Sequence, residues 1–220
     1  MNDSIIQYWN KVNRADYACP NPILYRLLNS IGMVIKDKYF LDLGCGVGQE
    51  LFEILKRGGK PYGIDIDDRV IKKINRIKTL NALNYPIVYN GSIIENIENI
   101  FQSLSFDIVL SQDTIYYLDD KSFNKCLDNV NNILKRNGVF IIKVITGDYA
   151  VKNNQLVFDS KSITKDSGNP IIYRNKDYYI KFLMNNNFNI IAEKKVSESF
   201  FIHCESIRHE LYLVAKKMAD

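Results

Sequence analysis

Gly44, Gly46 and Gly48 alternate in the stretch YFLDLGCGVGQE, Tyr39 to Glu50, directly behind a short apolar run that also carries Asp42. Glycine lets a ligand lie against bare main chain and permits turns closed to other residues. The dinucleotide fingerprint Gly-x-Gly-x-x-Gly would need a glycine at position 49, where Gln49 stands, so a pyrophosphate ligand is disfavoured. Asp65 follows about twenty residues after the loop, the spacing at which a carboxylate accepts hydrogen bonds from ribose hydroxyls. A nucleoside with a non-phosphate tail satisfies both observations.

These residues need a strand-turn-helix frame, and the chain supplies one. YFLDLG reads as a first strand and QELFEILKRGG as a helix stopped at Gly58-Gly59. PYGIDI is a second strand, followed by a helix over RVIKKINRIKTLNAL capped by Asp67 or Asp68, with Val70, Ile71, Ile74 and Ile77 as its apolar stripe. IVYNG and FDIVLSQ are a third and fourth strand. KSFNKCLDNVNNILKRNG is a helix ending at Gly138, and VFIIKVI a fifth strand. The later chain adds a helix in DYYIKFLMNN and strands in FNIIAEKKV and ELYLVAKK. Strands alternating with helices predict a parallel sheet covered on both faces. The expected organisation is a single domain over residues 1–220: an N-terminal helical cap (1–36), a cofactor-binding core (37–145), a lid or substrate insertion (146–175) and C-terminal helix and strands (176–220).

FLDLGCGVGQ, YGIDID, FDIVLSQDTIYYL and LKRNGVFIIKV, in that order and spacing, resemble the successive motifs of class I S-adenosylmethionine-dependent methyltransferases of the small-molecule type. The resemblance implies a Rossmann-like α/β fold with a seven-stranded, mostly parallel sheet, and S-adenosyl-L-methionine as cofactor. Carried over by position, it implies that Asp42 and the backbone of Gly44, Cys45 and Gly46 hold the methionine part, with Gly48 completing the loop. It further implies that Asp65 takes the ribose hydroxyls, that Ile66 lies against the adenine, and that Gln112 lines the cofactor near its sulfonium. Where the family often has an acidic residue after the third strand, this chain has Ser92, so the Ser92 hydroxyl and the Ile93 backbone are assigned to the adenine. The N-terminal QYWNKVNRADY is similar to the aromatic cap of small-molecule methyltransferases, which assigns Tyr8 and Trp9 to the cofactor and Tyr17 to the substrate.

Methyl transfer from a sulfonium is an in-line displacement, so holding the nucleophile about 3 Å from the methyl carbon supplies most of the effect. An alcohol or protonated amine would also want a base. The resemblance puts the acceptor pocket beyond the fourth and fifth strands and under the cap, which makes His203, Asp113 and Tyr116 the catalytic candidates. Arg14, Tyr17, Tyr117, Tyr149, Arg174 and Arg208 become the substrate candidates. Histidine titrates near neutral pH, which favours His203 over His209 for its place in the irregular SFFIHCES segment. Arg14, Arg174 and Arg208, with Lys11 and Lys176, favour an anionic, sugar-like or phosphorylated acceptor. Asp113 and Asp148 follow strands near where catechol-type enzymes bind metal, but Tyr149 replaces the asparagine those enzymes place next, and no metal is expected.

A net charge of +4, spread without basic blocks, disfavours nucleic acid as partner, and the chain lacks the Asn- or Asp-Pro-Pro-aromatic segment of base-modifying enzymes. An RNA methyltransferase is nevertheless the alternative, followed by a non-catalytic S-adenosylmethionine-binding module and a nicotinamide oxidoreductase. Four widely spaced cysteines and no long apolar run predict a cytoplasmic protein without a membrane partner, its oligomeric state left open.

Overall fold

In the computed structural model, residues 19–95, 97–101, 104–146, 162–164, 171–199 and 207–218 are described. Five strands run in the order of the apolar stretches: β1 (Tyr39–Leu43), β2 (Lys60–Asp65), β3 (Ile87–Asn90), β4 (Phe106–Gln112) and β5 (Leu134–Thr146). Two short strands, β6 (Ser162–Thr164) and β7 (Ile171–Tyr173), precede the long β8 (Phe188–Ser199) and β9 (Ile207–Lys217). The seven-stranded sheet has the order β3-β2-β1-β4-β5-β9-β8. Pairing is parallel from β3 to β5 and antiparallel at β5-β9 and β9-β8, so the sheet is Rossmann-like and mixed. Order reverses between β1 and β4, which opens a crevice at their carboxyl ends.

Helices α1 (Pro22–Ser30), α2 (Gln49–Lys56), α3 (Asp68–Leu80), α4 (Ile97–Phe101), α5 (Asp120–Ile133) and α6 (Lys176–Asn185) cover the sheet. Four starts, those of α1, α3, α5 and α6, are set by short polar caps: the side chains of Asn21, Asp67, Asp119 and Asn175 each accept a first-turn backbone N–H. No helix among the described residues is long and apolar enough to cross a membrane.

Alternation along the strands divides the core in two. Phe40, Ile108, Leu110, Val139, Ile141 and Val214 face α1 and Ile54 of α2. Leu41, Leu43, Val109, Phe140, Ile142 and Leu213 face α5 and α6. Because both faces are covered, these strands read as nearly continuous apolar runs.

One expectation is corrected. The helix expected to reach Gly138 stops at Ile133, because Leu134 is extended and buried and pairs with Phe106 of β4. The register then shifts between Phe106 and Ile108, with Asn137 at φ 66° absorbing the surplus chain. In the expected insertion, β6 and β7 form a separate antiparallel pair and Thr146 of β5 bridges to Arg174.

Candidate functional site

The turn after β1 is held from beneath. Gly44 and Cys45 donate their N–H groups to the Ile64 carbonyl of β2, at 2.8 and 3.1 Å. Gly44 sits at φ 80°, and a Cβ there would come within 2.3 Å of Thr114 Oγ1, so both dihedral and space demand glycine. Gly46 is also left-handed, and its N–H donates to Asp65 Oδ2 at 2.8 Å. The other Asp65 oxygen accepts from Asp67 N at 2.9 Å. Asp65 therefore ties the glycine turn to the end of β2. Asn90 steadies the same corner by donating from Nδ2 to the Asp65 and Ile66 carbonyls, each at 3.1 Å.

Carboxylates gather around this turn. Asp42, Glu50 and Asp65 are 4%, 1% and 3% exposed. Burial, then the neighbouring charges of Glu50 and Asp65, push the Asp42 carboxyl well above the ordinary carboxylate range. Burial also raises Glu50, against the hydrogen bonds it accepts from the Tyr25 hydroxyl, Asn21 N and the Gln112 side chain. A leucine in place of Asp42 would contribute roughly 1.5–3 kcal/mol to folding.

The alternation that builds the α1-facing core continues to the strand ends, but there the side chains become polar. Two residues beyond Phe40 comes Asp42; beyond Leu110, Gln112; beyond Ile141, Lys143; and two before Tyr212 on the antiparallel β9, Glu210. Gln112 pairs in register with Lys143, and Lys143 with Tyr212, so these three stand side by side across β4, β5 and β9. Lys143 Nζ bridges Asp113 Oδ2 at 2.8 Å and Glu210 Oε1 at 2.7 Å. Burial pulls its pKa down, but Asp113 and Glu210 outweigh that and hold the ammonium above its ordinary value. From the other side, the segment Cys19–Ile23 closes over the row. The space between is a cavity of about 470 Å³ lined by the glycine turn, Asp42, Glu50 and these strand-end residues.

Of the expected site residues, Asp42, Gly44, Cys45, Gly46, Gln112 and Asp113 line this cavity. Gly48 caps α2. Asp65, Ile66, Ser92 and Ile93 cluster at the β2 and β3 corner, where Ser92 Oγ accepts from Ile94 N at 3.3 Å and the Ile93 carbonyl accepts from Asn129. Two assignments are corrected. Tyr116 is 4% exposed and packs in the core shared with α5, 4.7 Å from the half-buried Tyr117 ring, and it does not line the cavity. Arg174, expected near the entrance, is fully buried; it donates to the Leu118 carbonyl and to Asp120 Oδ1, each at 2.8 Å, beneath the turn after β4. Lys176 pairs with Glu193 on the surface. Arg208 pairs through its backbone with Glu198 in the β8-β9 ladder. Tyr8, Trp9, Arg14, Tyr17, Tyr149 and His203, with Lys11 and Asp148, lie outside the described residues.

Asn21, Glu50, Lys143, Glu210 and Tyr212 also line the cavity, and no motif along the chain marks them. The available signal was a charge interrupting an apolar alternation, as Lys143 does in VFIIKVI. Among the described residues no group of three or more His, Cys, Asp or Glu is placed to hold a metal ion.

A family model described as a methyltransferase domain matches residues 35–201. Among curated relatives, a tRNA U34 carboxymethyltransferase of Cellvibrio japonicus is 28% identical over 134 residues, covering 54% of this chain and 40% of that protein. Phosphoethanolamine N-methyltransferase 1 of Triticum aestivum is 28% identical over 144 residues, covering 66% and 26%. The chain thus spans less than half the length of either relative. Among solved structures, a putative S-adenosylmethionine-dependent methyltransferase from Listeria monocytogenes superposes with TM-score 0.68 at 21% identity, over 89% of this chain and 98% of that one. The 1,6-didemethyltoxoflavin-N1-methyltransferase of Burkholderia thailandensis, solved with bound 1,6-didemethyltoxoflavin and S-adenosylhomocysteine, superposes with TM-score 0.70 at 15% identity, over 93% and 80%. At these identities the structures establish the shared fold.

Proposed function

This chain belongs to the methyltransferase-domain family, and on that footing we propose that it moves a methyl group from S-adenosylmethionine to an oxygen or nitrogen of a small metabolite. The observation that carries the proposal is the set of buried carboxylates around the glycine turn. Asp42 is driven toward protonation by burial and by Glu50 and Asp65. A ligand carrying both a sulfonium and an ammonium group relieves that repulsion, whereas a nucleoside with a pyrophosphate would worsen it. The left-handed Gly44 and Gly46 place side-chain-free main chain along the cavity, which fits the same ligand.

When bound, this cofactor supplies a methyl carbon on a positively charged sulfur, open to in-line attack. Asp42 and the Gly44–Gly46 backbone hold its amino-acid end. Asp65, whose oxygens accept from Gly46 N and Asp67 N at the end of β2, is the residue proposed to take the ribose hydroxyls. Ile66, Ser92 and Ile93 form the adenine side, and Tyr8 and Trp9 are assigned to the cover from the N-terminal segment. Gln112 borders the reacting centre, where water exclusion and alignment supply most of the acceleration. Asp113, ion-paired to Lys143, orients the acceptor and takes its proton if it carries one, with His203 as the alternative base. Arg14, Tyr17, Tyr117, Tyr149 and Arg208 remain the residues proposed to contact the acceptor. A small acceptor is supported by the size of the cavity, about 470 Å³. A cytoplasmic location is proposed from the scattered cysteines alone.

Calorimetric titration of the protein with S-adenosylmethionine tests the core of the proposal. Binding is expected, with affinity reduced at least tenfold in Asp65→Ala. Absence of binding by the wild-type protein would overturn it. A panel of small acceptors and RNA, read by S-adenosylhomocysteine release, then separates a metabolite from a nucleic-acid acceptor.

A further inference from the structure

We propose that Asn21 is a positioning residue that aligns the cofactor end of the cavity with its acceptor end, an inference that rests on the methyltransferase reading above. Asn21 is the N-cap of α1, yet its hydrogen bonds reach well beyond that role. Its Oδ1 accepts from Ile23 N at 3.1 Å, which is the cap. Its backbone N–H donates to Glu50 Oε1 of α2 at 2.7 Å. The two Nδ2 hydrogens go to Gln112 Oε1 of β4 at 2.7 Å and to the Tyr212 hydroxyl of β9 at 2.8 Å. The planar amide thus joins two strands separated in the sheet by β5, and the backbone N–H of the same residue adds the helix that follows the glycine turn.

The bonds also fix direction. Gln112 has a carbonyl and an amino end that could exchange places. With its Oε1 engaged by Asn21, its amino end is left for Glu50, whose carboxylate accepts from it. The Tyr212 hydroxyl, having accepted from Asn21, uses its own hydrogen on Glu210 Oε2 at 3.2 Å. Glu210 in turn shares Lys143 with Asp113. A directional chain therefore runs from Glu50 and Gln112 at the cofactor end, through Asn21, to Glu210, Lys143 and Asp113 at the acceptor end. Every member except Tyr25, which closes on Glu50 from behind, lines the cavity.

A capping residue alone would be replaceable by any short side chain with an oxygen, and this separates the two roles. Asn21→Ser keeps the cap acceptor and adds no charge, but removes both Nδ2 donations. Expected is a melting temperature close to that of the wild-type protein with S-adenosylmethionine bound about tenfold more weakly, the loss of one or two hydrogen bonds that orient Gln112. Gln112→Ala should weaken binding to a similar degree, and the double variant should bind no worse than the weaker single one, because both act through one amide. Wild-type affinity in Asn21→Ser, or losses that multiply in the double variant, would overturn the inference while leaving the methyltransferase reading intact. Failure of the wild-type protein to bind S-adenosylmethionine would overturn that reading, and this inference with it.

Discussion

Asp42→Asn should move stability and cofactor binding in opposite directions. Burial and the charges of Glu50 and Asp65 raise the Asp42 carboxyl in the folded protein far above its value in the unfolded chain. The folded state then binds the extra proton, so stability is lost as pH rises from the ordinary carboxylate range toward the raised value. Each pH unit across that interval costs about 1.4 kcal/mol, equivalent to roughly 3–6 °C in melting temperature for a chain of this length. Asparagine has nearly the same shape and no charge to desolvate. The variant should therefore melt higher than the wild-type protein, with a gap that widens as pH rises above the ordinary carboxylate range toward the raised value. Binding should respond the other way: losing a charge-assisted contact to a cationic ligand is worth about 1.5–3 kcal/mol, or ten- to a hundredfold in affinity. Thermal melts over that pH range, paired with calorimetric titration by S-adenosylmethionine at pH 8, give both quantities. A variant that melts lower at pH 8, or binds S-adenosylmethionine as tightly as the wild-type protein, would refute the assignment of Asp42.

Gly44→Ala places a Cβ 2.3 Å from Thr114 Oγ1 on a left-handed residue, and should cost about 2–5 kcal/mol in denaturant unfolding. Adding Thr114→Ala removes the two nearest atoms and should return the overlap part but not the dihedral part. Lys143→Met leaves the buried Glu210 and the half-exposed Asp113 without their shared cation, with a destabilisation approaching 3–5 kcal/mol, reduced by the exposure of Asp113. Because the Lys143 ammonium is held above its ordinary value, its contribution is complete below about pH 10 and is lost as pH rises through the raised value. Denaturant melts should accordingly show a constant penalty across neutral pH that shrinks only in alkaline solution.

Much of this was legible along the chain because the information was local. Strand and helix positions follow from apolar runs and caps, and β4 occupies the same residues in sequence and structure. The helix before β5 misled because Leu134 reads as one more helical position, while its pairing with Phe106 is a contact across the sheet. Tyr116 and Arg174 misled for a related reason. Both have side chains suited to chemistry, and only packing decides that one fills the α5-facing core and the other anchors the turn after β4.

The sequence by itself determined the glycine turn, the acid that ends β2 and the methyltransferase motif order, because these are short-range patterns enforced by backbone geometry. Only the tertiary structure decided the company they keep. Asn21, Glu50, Gln112, Lys143, Glu210 and Tyr212 are spread over 192 positions counted from Asn21 through Tyr212, and no local rule relates them. Parallel pairing and the two-residue alternation bring their side chains to one face at one end of the sheet, and the cap of α1 closes over them. That juxtaposition places the buried Asp42 and Glu50 next to the glycine turn at the mouth of the cavity.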